Sequence, residues 1–374
     1  MAKTKYRIKW EGTQFVYHSL ALVNREICLK LIESGCEVFI KPYEKHTFNG
    51  SADRRFGKIV DRILKMKDPV PFVDAHIRHQ WPPNLEPPEH GRWITMQPWE
   101  FGSVPAEWVT VFKNQIDELW VPSRYVKKAF AEGGVPGKKI HVIPNGVNPF
   151  KFHPNVKPMA LETNKSFQFL FVGGAIYRKG IDLLLKAYIE AFTPDDDVCL
   201  VIKNFGGNTF YKNQTLSIII KKLSQRKDLP DILLLDETIP EDNMPGLYSA
   251  ANVLVHPYRG EGFGLPILEA MACGIPTIVT KGGACLDYCN HRNSILVNAS
   301  TIEHRQDTIN GLKTVDRLWF HEIDMKDLKA KMTYAYKRDI DLKRIGAQAA
   351  EDVSLYWTWD KTVAKINERL CEVC

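Results

Sequence analysis

VLVHPYRGEGFGLPILEAMACGIPTIVT, residues 253–280, is the stretch whose reading decides the fold. Val253–Val255 is a short apolar run rich in β-branched residues, and His256-Pro257 ends it, because proline cannot continue a central ladder. Gly260, Gly262 and Gly264 then occupy alternate loop positions, where a missing side chain lets backbone N–H groups approach a ligand. Pro266 suits the first turn of a helix, where its lost N–H is not missed. Leu265, Leu268, Met271 and Ala272 give that helix an apolar side. Pro276 and the apolar run to Val279 make the next strand. The order is strand, glycine loop, helix, turn, strand.

A helix that opens after a glycine loop at the carboxyl end of a parallel strand is a natural anion site. Its free N–H groups and dipole favour a phosphate or diphosphate. Glu261 lies in the loop and Glu269 about one turn into the helix. Two carboxylates do not bind phosphate, since like charges repel; they suit sugar hydroxyls, one at each end of a nucleotide sugar. The plainer alternative is a surface-loop glutamate and a helix-face glutamate. The spacing Glu261-x7-Glu269, with Gly262-Phe263-Gly264 between, resembles the signature of family four retaining glycosyltransferases of the GT-B fold.

Outward from this stretch, 374 residues suit two domains rather than one core. Hydrophobic content of 44% and charged content of 25% are those of a soluble globular protein. No apolar run approaches the ~20 residues needed to span a bilayer, and MAKTKYRIKWEG lacks the apolar core of a signal peptide. A cytoplasmic location is the expectation. Eight cysteines are scattered, and Cys371-x2-Cys374 has no second pair to complete a zinc site. Most of them read as small buried hydrophobes. Residues 1–150 carry 22 Lys and Arg against 16 Asp and Glu, whereas residues 151–374 carry 28 of each. A basic first half suits an anionic acceptor or peripheral contact with a membrane, or is an ordinary solvated face. Nothing resembles a nucleic-acid module.

Short apolar runs alternate with helical stretches in both halves. In the first, strands are predicted at Tyr6–Trp10, Cys36–Lys41, Val70–Ala75, Arg92–Met96, Glu118–Val121 and Ile140–Ile143. Helices are predicted at Leu20–Ser34, stopped by Gly35, and at Arg124–Glu132, capped by Ser123. Ile143-Pro144-Asn145-Gly146-Val147-Asn148, with Phe152-His153-Pro154, is a turn-rich linker. Beyond it, strands are predicted at Phe167–Val172, Val198–Lys203, Ile232–Leu235, Val253–Val255, Thr277–Val279 and Ser294–Val297. Helices are predicted at Gly180–Ala191, Gln214–Lys227, Met244–Ala250 and Leu265–Cys273. Met325–Cys374 is helical in pattern, with Trp357, Trp359, Val363 and Ile366 as the apolar groups of a last helix. The fold class is therefore α/β, two doubly wound Rossmann-like domains facing across a cleft. The predicted division is 1–148 for an acceptor-side domain and 149–355 for a nucleotide-sugar domain. The resemblance implies that a terminal helix, about 356–374, packs back on the first domain.

Further chemistry sits on other strand ends. Val172-Gly173-Gly174-Ala175-Ile176-Tyr177-Arg178-Lys179-Gly180 leaves a strand and opens a helix. Arg178 and Lys179 beside glycines are placed for a diphosphate, or form a solvated helix start. The loop is similar to the family loop that stabilises the leaving nucleoside diphosphate, Lys179 matching the family lysine and Ala175 departing from a common arginine. His76-x2-His79 is not a metal pair outside a helix; His76, Arg78 and His79 are either acceptor contacts or structural. After the strand ending at Met96, Gln97 stands where many relatives place a histidine, and Gln97 or Glu100 would hydrogen-bond the sugar. The loop near Gly12 departs too, with His18-Ser19 in place of a glycine pair. Asp195-Asp196-Asp197 reads as a solvated turn.

The resemblance implies transfer of a sugar, with retention, from a nucleoside diphosphate sugar (a UDP-sugar favoured) to an unidentified glycan, lipid-linked glycan or protein. Lys179 and Arg178, with N–H groups around Phe263, Gly264 and Leu265, would stabilise the departing diphosphate. Gly262 and Gly174 would line the donor site, Glu261 would position the sugar, and Glu269 the ribose. No cofactor and no metal are implied. Alternatives are a GT-B sugar-nucleotide epimerase and a non-catalytic nucleotide-sugar-binding protein. The donor base and sugar depend on loop side chains such as those of Asn204–Tyr211.

Overall fold

The computed structural model describes residues 5–16, 18–43, 59, 72–206, 211 and 214–374. Val70 and Pro71 of one predicted strand, and 207–210 of the loop after Asn204, lie outside the described residues. The chain divides into two compact units: 5–146 with 305–318 and 359–374, and 147–304 with 319–358. It passes from one unit to the other four times.

The first unit holds a six-stranded parallel sheet in the order β2-β1-β3-β4-β5-β6. Its strands are β1 (Arg7–Gly12), β2 (Glu37–Pro42), β3 (Ala75–His79), β4 (Arg92–Met96), β5 (Glu118–Val121) and β6 (Ile140–Val142). Helix Arg124–Glu132 starts at Ser123, whose Oγ accepts from the Val126 N–H at 3.3 Å. One core cluster is aromatic: Trp93, Trp99, Trp108, Phe112 and Phe130 pack with Leu119 and Ile140.

The second unit repeats the architecture in the order β12-β11-β10-β7-β8-β9. Its strands are β7 (Phe167–Gly173), β8 (Val198–Asn204), β9 (Asp231–Leu235), β10 (Val253–His256), β11 (Thr277–Thr280) and β12 (Ile295–Val297). Every residue of β8 and β10 is buried, as a parallel sheet covered on both faces requires. Helices Ile181–Ala191 and Met325–Lys337 supply Leu184, Tyr188, Leu328 and Met332 to the core.

Three features differ from the sequence reading. The predicted strand Val70–Ala75 gives way to β3 at Ala75–His79, where polar residues continue the ladder because Arg78 and His76 find a partner in Glu11. Helix Ala106–Asn114 was not predicted; Trp108, Val109 and Phe112 bury its inner face. Residues 298–323 hold antiparallel pairs, Ala299–Glu303 with Trp319–Ile323 and Thr308–Ile309 with Leu312–Lys313. The excursion 305–318 between the longer pair joins the first unit, where Val315 N–H donates to the Val104 carbonyl at 2.9 Å.

The last helix, Trp359–Val373, belongs to the first unit and packs on helix Ser19–Glu33. Lys30 Nζ pairs with Asp360 at 2.9 Å and Thr362 Oγ1 donates to the Pro144 carbonyl at 2.8 Å. Trp357 is not part of it: that ring follows helix Asp339–Tyr356 and lies over Phe263 and Tyr288. Among the described residues no helix is long and apolar enough to cross a membrane. Ile366 is fully buried on the last helix, so Ile366→Ala should cost about 2–5 kcal/mol. A urea titration reading an unshifted midpoint for the first unit would contradict this packing.

Candidate functional site

In the second unit β7, β8 and β9 run to one edge of the sheet and β10, β11 and β12 to the other. The strand order reverses between β7 and β10, and loops leaving such neighbours part to leave a crevice where doubly wound sheets take ligands. Two loops meet there, 174–180 after β7 and 257–264 after β10. Their backbones touch at Gly180 and Pro257. Gly180 has φ +70°, and a Cβ on it would lie 1.9 Å from the Pro257 carbonyl oxygen, so only glycine lets the loops close.

That closure brings Arg178, Lys179 and Glu261 together. Lys179 Nζ lies 3.3 and 3.1 Å from the two Glu261 oxygens, and Arg178 donates to Glu261 Oε2 at 3.1 Å. Arg178 also donates to the Gly260 carbonyl at 2.8 Å and to Tyr211 Oη at 3.3 Å. Burial alone would raise the Glu261 carboxyl; the Lys179 and Arg178 charges overcome it and hold the group at about 2. Glu261 is therefore an anion between two cations, leaving the cluster a net positive charge.

Beside the triad the helix Leu265–Ala272 opens. Gly264, at φ +89°, turns the chain into it, and a Cβ there would meet Tyr288 Oη at 2.9 Å. The N–H groups of Phe263, Gly264 and Leu265 have no hydrogen-bond partner among the described residues. The Phe263 ring turns inward onto Tyr288 at 5.3 Å between centroids, so this residue offers the crevice its backbone alone. Gly174 packs under Tyr211; a Cβ would come within 2.5 Å of that ring. A cationic pair, N–H groups without a partner among the described residues and a positive helix end give this corner the chemistry of an anion site.

Two known families match this sequence. "Glycosyl transferases group 1" matches residues 155–352, more than half of the chain, and "Glycosyltransferase Family 4" matches residues 76–150. The chain belongs to the group 1 glycosyl transferases. A putative glycosyltransferase of a Sulfolobus islandicus filamentous virus is 24% identical to this group 1 member over 56% of its length and 54% of the viral protein. A GDP-mannose-dependent phosphatidylinositol monomannoside mannosyltransferase of Mycobacterium tuberculosis is 25% identical over 68% and 61%. The chain thus spans little more than half the length of these curated relatives. In fold it matches a Rickettsia africae glycosyltransferase (TM-score 0.67, 16% identity, 98% of each chain). It also matches Anabaena Alr3699/HepE in complex with UDP and glucose (TM-score 0.64, 15% identity, 98% and 99%). The shared fold is GT-B.

Glu269 stands apart from the triad. It is half-buried, and Tyr248 Oη donates to its Oε2 at 2.6 Å. Burial lifts its carboxyl to about 7, the Tyr248 hydrogen bond and Lys151 only partly opposing. The other predicted positions lie in the first unit. Arg78 Nε donates to Glu11 Oε2 at 2.7 Å and His76 Nε2 is 3.2 Å from the same atom, so both turn onto a buried carboxylate. Gln97 is buried, its amide donating to the Pro98 carbonyl at 3.2 Å, while its Oε1 has no partner among the described residues. Glu100 is half-buried, and its carbonyl accepts from Tyr125 Oη at 3.4 Å.

Tyr248, Tyr288, His256 and Arg259 escape the sequence reading. His256, stacked on Phe171 at 5.3 Å and kept neutral by burial beside Lys179, ends β10 behind the triad. Its signal was available: a polar residue closing an apolar central strand faces the ligand end of the sheet.

Glu269 generates a pH prediction. Its folded value of about 7 lies above the unfolded 4.5, so the folded chain binds the extra proton and loses stability as pH rises from 4.5 to 7. Glu269→Gln removes that loss, and the variant should gain on the parent across this window, by a few kcal/mol at most, and level off above it. Denaturation midpoints at pH 5 and pH 8 that move in parallel for both proteins would contradict the raised carboxyl.

Proposed function

We propose that this chain is a retaining glycosyltransferase that moves a sugar from a nucleoside diphosphate sugar, a UDP-sugar first, to a glycan, lipid-linked glycan or protein acceptor without a metal ion. The supporting observation is the Lys179–Glu261–Arg178 triad beside a row of N–H groups without a partner among the described residues, at the β7/β10 switch point. As the glycosidic bond breaks, charge grows on the departing diphosphate, and fixed cations and N–H groups in a buried site stabilise that charge at no reorganisation cost. In the free protein Glu261 holds both cations in place. On donor binding they extend to the phosphates, and Glu261 retains oxygen capacity for a hydroxyl of the transferred sugar. Glu269 accepts from the ribose, its carboxylate kept in line by Tyr248. The acceptor attacks from the face the diphosphate leaves, and the leaving phosphate takes its proton. That route uses no separate nucleophile–base pair.

Acceptor recognition is assigned to the first unit, where the unpartnered Gln97 Oε1 is the group best able to accept a hydroxyl. The UDP preference follows the UDP and glucose complex of the Anabaena protein; the GDP-mannose-dependent mycobacterial relative names the competing donor.

The test is a thermal-shift screen of UDP- and GDP-sugars, followed by nucleoside diphosphate release with and without chelator and the anomeric configuration of the product. Stabilisation by no nucleotide sugar, or an inverted product, would sink the proposal. Lys179→Ala should lower turnover about a hundredfold. The glutamates should fail differently: Glu269→Gln mainly weakens donor binding, whereas Glu261→Gln depresses turnover more than affinity. Calorimetry beside steady-state rates separates the two, and full turnover with collapsed donor binding in Glu261→Gln would remove that carboxylate from the reacting sugar.

A further inference from the structure

Arg259 lies between Tyr258 and Gly260, and each of its five N–H donors is used. Nε and Nη2 reach Glu322 at 2.7 and 3.2 Å. Nη1 and Nη2 reach the two Asp182 oxygens at 2.7 and 2.8 Å, and Nη1 also donates to the Tyr177 carbonyl at 2.7 Å. The guanidinium plane lies over the Tyr177 ring, Cζ 3.6 Å from the centroid. Its backbone joins in, N–H to the Arg178 carbonyl and carbonyl from His321 N–H, both at 2.8 Å. The side chain is 3% exposed.

These contacts bracket the cations. Tyr177 precedes Arg178, and Asp182 sits in the first helical turn after Lys179. Arg259 itself belongs to the loop carrying Glu261, so a single guanidinium ties the cation-bearing turn to the carboxylate-bearing loop. Two carboxylates more than cancel its own charge, so Arg259 adds no positive field to the site. A lysine has one point charge and no planar fork, and cannot hold two carboxylates, a carbonyl and a ring together.

We propose that Arg259 is a positioning residue for sugar transfer: held by Asp182 and Glu322, it sets the Tyr177–Lys179 turn so that Arg178 and Lys179 meet the departing diphosphate. This rests on the donor reading above. It also separates Arg259 from a merely stabilising ion network, since its effect must pass through the two cations.

The test is a double-mutant cycle on nucleoside diphosphate binding, with UDP and GDP as probes and calorimetry as readout. Arg259→Lys alone should weaken binding about tenfold, and in a Lys179→Ala background it should add no more than about threefold, because one of the two cations it positions is gone and only the Arg178 share remains. Asp182→Asn, which leaves the guanidinium in place, should show the same non-additivity at smaller amplitude, and serves if Arg259→Lys does not fold. Losses that multiply in both cycles would make Arg259 structural and overturn the inference alone. A parent protein that binds neither UDP nor GDP would overturn the functional reading, and this inference with it.

Discussion

The carbonyl of Pro257 sits where a side chain on Gly180 would have to be, and the chemistry of the second unit hangs on that closeness. Reversal of strand order between β7 and β10 opens the crevice; closure of the two loops across it fills the floor with charge. A buried carboxylate is tolerable only when cations and donors surround it. Glu261 has Lys179 and Arg178 within 3.3 Å, and each cation in turn has Glu261 as its anchor. Removing a partner would strand a charge, so the three side chains hold one another in place.

The two glutamates of one loop and helix show how far environment, rather than residue type, sets behaviour. Glu261 is held at about 2 by facing cations, and Glu269 lies at about 7 because burial meets only a tyrosine hydroxyl and a more distant lysine. A group near 7 changes its charge around neutral pH, whereas one near 2 stays ionised there.

In the first unit the same physics works between β1 and β3, where the strand order of that sheet reverses. Lys9, Glu11, His76 and Arg78 lie on paired positions of β1 and β3, and Glu11 is held well below the usual carboxylate range by hydrogen bonds and charge from His76, Lys41 and Arg78 despite its burial. Polar residues in a buried strand look like a loop when read alone. They become a strand when the neighbouring strand supplies the opposite charge, which is why β3 escaped the sequence reading. Helix Ala106–Asn114 escaped for a related reason: Trp108 and Phe112 carry no helical preference of their own and are fixed by the rings of Trp99 and Phe130.

The sequence by itself determined the alternation of strands and helices, the turn-rich stretch around Gly146, and the loop–helix of 260–272 with its two carboxylates. These are local properties: apolar periodicity, proline and glycine punctuation, and residue types at fixed offsets. Arg178 and Lys179 were legible as cations beside glycines, but their meeting with Glu261 was not, because more than eighty residues separate them and only the β7/β10 pairing brings their loops together. The excursion 305–318 into the first unit, the transfer of Trp357 to the surroundings of Phe263, and the grip of Arg259 on Tyr177 and Asp182 were likewise decided by tertiary structure. Each is a contact between distant segments, and such contacts leave no mark on the spacing of either one.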